Sequence, residues 1–86
     1  MNIHAMRAKI EGCPSTQQRV GRFMLRHGAD VPFLSVRQLA VRSGVTPSTV
    51  MRLVKSLRLD NYQTLQSIFR REFLGTSQTS PFPKES

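Results

Sequence analysis

Apolar residues recur every three or four positions over most of this chain, and Gly, Pro, Ser, Thr and Asp punctuate the runs where helices start and stop. Ile3, Met6 and Ile10 predict a first helix that closes near Gly12. Ser15 and Gln18 make a capping-box pattern ahead of Val20, Phe23 and Met24, which predicts a second helix stopping at Gly28. In the connector that follows, Pro32 disfavours a helical Val31, and Val31, Phe33 and Leu34 are expected to act as packing plugs.

The next three starts carry their own signals. Ser35 with Gln38 is a capping box for a third helix whose buried side is Val36, Leu39 and Ala40, ending at Ser43 and Gly44. Thr46 followed by Pro47 starts a fourth, because Thr caps free N–H groups and Pro at the first helical position loses no hydrogen bond the helix needs. Val50, Leu53, Val54 and Leu57 form its inner face; Ser48, Thr49, Met51, Arg52, Lys55 and Ser56 are expected outward or to the sides. Asp60 with Gln63 predicts the start of a fifth helix, whose stripe of Tyr62, Leu65, Phe69 and Phe73 runs to Leu74. With no period-2 strand pattern, the expectation is an all-α, five-helix, homeodomain-like helix-turn-helix domain over residues 1–74, and a Ser-, Thr- and Pro-rich disordered tail or linker stump over residues 75–86.

Charge narrows the partners. Thirteen Lys and Arg against five Asp and Glu leave +8 on 86 residues, and between Asp30 and Asp60 there is no acidic residue while Arg37, Arg42, Arg52, Lys55 and Arg58 all fall there. A polyanion fits such a segment. A single cysteine, Cys13, closes no intrachain disulfide and fits a reducing cytosol, and no run reaches the about 18 apolar residues of a membrane span. A cytoplasmic, nucleoid-associated protein is expected. Two histidines and one cysteine lack metal-ligand spacing, the carboxylates are scattered and no Gly-rich phosphate loop exists, so no catalysis, metal or cofactor is expected.

The spacing across residues 36–55 meets the demands of a helix-turn-helix jointly. Ala40 is small where two helices cross, Gly44 can take a positive φ in the turn, and Val45 plugs it. The same spacing also suits an ordinary helical hairpin; the one-sided charge favours duplex DNA. On the DNA reading the first turn of the fourth helix enters the major groove, so Ser48, Thr49, Met51 and Arg52 reach bases. Thr46 and Pro47 complete that surface, and Ser35, Arg37, Lys55 and Arg58 meet phosphates or flank them. Because one such motif covers a half-site, a homodimer is expected.

The segments at residues 31–40, 43–53 and 57–65 resemble the amino-terminal domain of RpiR/MurR-type bacterial transcription regulators, notably Phe33-Leu34-Ser35, Thr49-Val50 with Arg52, and Tyr62-Gln63 with Leu65. The resemblance spans residues 3–74 and departs from the family habit at Pro14-Ser15, where Ser/Thr-Pro order is usual. It implies a transcription regulator of sugar or phosphosugar genes, a repressor or an activator. In that family a sugar-isomerase-like (SIS) domain follows and senses sugar phosphates; residues 75–86 read as the start of a linker toward one, so the chain is expected to be an isolated amino-terminal domain or a truncated product, with any sugar-phosphate effector acting only through the SIS domain absent from it. Two rival readings remain: an RNA-binding or recombinase-associated nucleic-acid module, and a basic protein-interaction or oligomerisation module.

Overall fold

Five helices follow one another in the order the periodicity predicts. The structure, a computed structural model, describes residues 2–74, so the expected tail at residues 75–86 lies outside the described residues. The helices are α1 (Ile3–Glu11), α2 (Ser15–Arg26), α3 (Val36–Ser43), α4 (Pro47–Ser56) and α5 (Tyr62–Leu74), with a short 3-10 turn at Val31–Phe33. No strand occurs among the described residues.

Their inward stripes meet in one core. Met6 and Ile10 of α1, Val20 and Met24 of α2, Leu39 of α3, Leu53 of α4 and Phe69 of α5 are all essentially inaccessible to water. Each such Leu or Phe contributes about 1.5–3 kcal/mol by leaving water. The layout is set by neighbours in space: α2 packs on α1, α3 and α4, α3 lies along α4, and α5 packs on the 3-10 turn and on α4. Gly21 of α2 permits the close approach of α1, since a Cβ there would stand 2.6 Å from the Ile10 side chain.

Several starts differ from the sequence reading. Ser15 does not cap α2; the helix begins at Ser15 behind Pro14 with no side-chain cap, and Gln18 donates its side-chain N–H to the Glu11 carbonyl at 2.9 Å, tying α2 to the end of α1. Pro14 accounts for this, because it occupies the N-cap position and its ring has no oxygen to accept from the first helical N–H groups. At α5 the cap is Asn61 rather than Asp60: the Asn61 Oδ1 accepts from the Thr64 N–H at 2.8 Å and from the Thr64 hydroxyl at 3.1 Å. Asn61 stands at the position whose side chain reaches the third helical N–H.

Phe33 is not a plug. It is 68% exposed, with the Arg70 guanidinium 5.8 Å above its ring, whereas Val31, Pro32 and Leu34 are buried. The tight 3-10 turn brings residues three apart onto one side, so Val31 and Leu34 take the core and Phe33 is left outside. Phe73 is likewise partly exposed, stacked on Phe69 at 5.5 Å and lying over Gly28, where a Cβ would collide with its ring. α2 itself stops at Arg26 with His27 as its cap.

Candidate functional site

The turn at residues 44–46 is built from local chemistry at both ends. Gly44 takes φ +75°, in the left-handed region, its N–H bonds the Val41 carbonyl at 3.2 Å, and the Val45 N–H bonds the Ala40 carbonyl at 2.9 Å. This satisfies carbonyls left free at the end of α3. Arg19 of α2 holds the outer side of the turn by donating to the Gly44 carbonyl at 3.3 Å. Thr46 then caps α4, its hydroxyl accepting from the Thr49 N–H at 3.3 Å, and Pro47 occupies the first helical position.

The face so positioned is open. Thr46, Pro47, Ser48, Arg52 and Lys55 are exposed, Met51 is half-buried, and Pro47, Ser48, Met51, Arg52 and Lys55 line a shallow depression of about 400 Å³. Ser48, Arg52 and Lys55 point opposite to Val50, Leu53 and Val54, as 100° per residue requires. Positive charge thus flanks a floor of small polar and thioether groups.

Thr49 departs from its expected place. It is only 8% exposed, and its hydroxyl lies 3.2 Å from that of Thr46. Thr49 and Ser56 are seven residues apart and share an edge of α4. That edge is turned toward α2, where Ser56 donates to the Gln17 Oε1 at 2.7 Å. Thr49 therefore shapes the cap and is removed from the set of exposed residues. Met51 is less exposed than expected because it also packs against the core cluster.

The remaining predicted residues lie around this face. Ser35 is exposed, but its capping box is complete: its hydroxyl accepts from the Gln38 N–H at 3.1 Å and its own N–H donates to Gln38 Oε1 at 2.9 Å. Arg37 is exposed in the first turn of α3. Arg58 is exposed just after α4 and adopts φ +61°, the one non-glycine residue with positive φ among those described.

Sequence reasoning missed a second basic surface. Arg19, Arg22 and Arg26 fall on the solvent side of α2 at helical spacing, and with Arg42, His27 and Ser43 they line a groove of about 440 Å³ between α2 and the end of α3. The signal was present, since basic residues at i, i+3 and i+7 share a helix face, but the charge count stopped at Asp30. Of the histidines, His27 packs against Phe23 with ring centroids 4.6 Å apart and the planes tilted by 36°, and Cys13 donates its thiol to the Lys9 carbonyl at 3.3 Å. Among the described residues no group of three or more His, Cys, Asp or Glu is placed to hold a metal ion, and no helix is long and apolar enough to cross a membrane.

These features define a class: a basic, all-helical domain that presents the start of one short helix beside a tight glycine turn. Comparison adds no relative, for no protein-family model, curated protein or solved structure matches the chain.

Proposed function

We propose that this chain binds duplex DNA sequence-specifically as a bacterial transcription regulator, with α3, the Gly44 turn and α4 acting as a helix-turn-helix. The observation that carries the reading is the exposed first turn of α4, where Ser48 and Arg52 border an open depression with Lys55 beside it. Short side chains there can approach base edges, and the Arg52 guanidinium can pair with the O6 and N7 of a guanine, a contact worth about 1–3 kcal/mol of discrimination. Lys55, Arg37 and Arg58 are assigned to phosphates. Two copies on an inverted repeat follow from the half-site covered by one motif. The resemblance to RpiR/MurR-type regulators supports the class and suggests genes of sugar or phosphosugar metabolism.

Selection from a random duplex library with the whole chain tests this. Enrichment of one half-site or of an inverted repeat is expected. Arg52→Ala should relax preference at one base pair, while Lys55→Ala should weaken all duplexes alike and lower the salt slope by about one unit. Wild-type binding by both variants at moderate salt overturns the assignment.

A second reading, single-strand RNA binding, is favoured by one observation, the exposed Phe33 ring beneath Arg70. Exposed aromatics stack on unpaired bases. Competition between duplex DNA and single-stranded RNA separates the two, and a preference for RNA that Phe33→Ala abolishes would select the second.

A further inference from the structure

The groove between α2 and the end of α3 lies beside the proposed base-reading helix but shares no lining residue with it. Its wall is a run of like charges, Arg19, Arg22 and Arg26, faced by Arg42. Like charges three and four residues apart on a helix repel, so the arrangement works against the stability of α2. Glu11 lies on the α1 side next to Arg22, and no carboxylate is among the residues that line the groove itself. Arg22 donates to Gln18 at 3.3 Å and Arg19 to the Gly44 carbonyl, both neutral acceptors.

A second observation points to a ligand. Ser43 lines the same groove, is 7% exposed, and its Oγ has no hydrogen-bond partner among the described residues. A buried hydroxyl left unpaired destabilises the fold, and an acceptor that reaches it recovers the loss. Fork-shaped guanidinium donors and a serine hydroxyl beside the half-buried Phe23 suit an oxyanion such as a phosphate rather than an apolar ligand.

Position selects the source of that phosphate. Arg19 grips the turn, and Ser43 precedes the α4 cap Thr46 by three residues, so groove and reading helix are within about 11 Å along the chain. We propose that the groove grips the sugar–phosphate backbone of the duplex whose bases α4 reads, with Arg22 and Arg26 each engaging a phosphate and Ser43 and Arg42 closing the floor. This rests on the DNA reading above and extends it with contacts that carry no base preference.

The test is Arg22→Gln combined with Arg26→Gln in the full chain, with circular dichroism confirming the fold. Removing two phosphate contacts should lower the slope of log affinity against log salt by about 1.8 units and leave the selected base preference intact. An unchanged slope and affinity in this variant, while Lys55→Ala still lowers its own slope, overturns the groove and spares the DNA reading. If the groove, Arg52 and Lys55 variants all bind as wild type does, the DNA reading itself falls and the groove with it. Side-chain Nε–H NMR signals of Arg22 and Arg26 give the second readout. Shifts with duplex alone identify a phosphodiester occupant; shifts with inorganic phosphate also, against chloride at equal ionic strength, show that a free phosphate fills the same groove; no shift with either refutes the site.

Discussion

The turns on either side of α4 share one hydrogen-bond pattern and differ in the residue at its hinge. After α3, Val45 reaches back to Ala40 and Gly44 to Val41; after α4, Leu59 reaches back to Val54 at 3.1 Å and Arg58 to Lys55 at 2.9 Å. Both hinges have positive φ, +75° at Gly44 and +61° at Arg58. Glycine pays no Cβ penalty there, whereas a side-chain-bearing residue does. The first turn, which aims α4 outward, is thus free of strain, and the second holds a strained arginine at the far end of the same helix. On the proposed function the difference has a use: the leading turn sets an angle, and the trailing turn keeps a charge where a phosphate passes.

Breaking the leading turn should have the largest effect. Gly44→Val forces a β-branched residue into the left-handed region beside Arg19, and should cost about 2 kcal/mol in urea denaturation. Duplex affinity should fall by more than the lost folded fraction explains, because α4 leaves its angle; a variant of wild-type stability would show that the turn is not held by its hinge.

The helix after the trailing turn offers a pH probe. Tyr62, the only tyrosine, donates its hydroxyl to the Leu34 carbonyl at 2.7 Å, and burial pushes its pKa from 10.0 up to about 12. A pKa raised by folding means that this contribution is complete below pH 10 and is lost as the pH climbs from there through 12. Tyr62→Phe should cost about 1 kcal/mol at neutral pH, since the Gln66 side chain still donates to the same carbonyl at 3.0 Å, and should remove this alkaline loss. Urea midpoints of both proteins from pH 8 to 12 check it; parallel curves would count against a buried phenol.

Relieving the trailing turn should have the smallest effect and opposite sign. Arg58→Gly should stabilise the fold by about 0.5–1 kcal/mol while lowering the salt slope of duplex binding by about one unit. Greater stability with unaltered binding would leave the strain at Arg58 without a function.

What the chain states locally it states well. Helix order, the Ser35–Gln38 capping box, the Gly44 hinge and the Thr46–Pro47 start were all legible, because each depends on residues within one turn of backbone and on its hydrogen bonds. The open face of Ser48, Arg52 and Lys55 was legible for the same reason, by helical phase from Val50 and Leu53. Tertiary contact decided the rest. Thr49 is covered because α2 lies along its edge of α4, Phe33 is outside because Val31 and Leu34 occupy the core beneath it, and Gly28 is small because Phe73 lies over it. The arginine groove exists only where the outer face of α2 meets the end of α3, a meeting of positions some twenty residues apart that no periodicity encodes. Periodicity tells a helix which side is apolar; only packing determines what that side, and its edges, will touch.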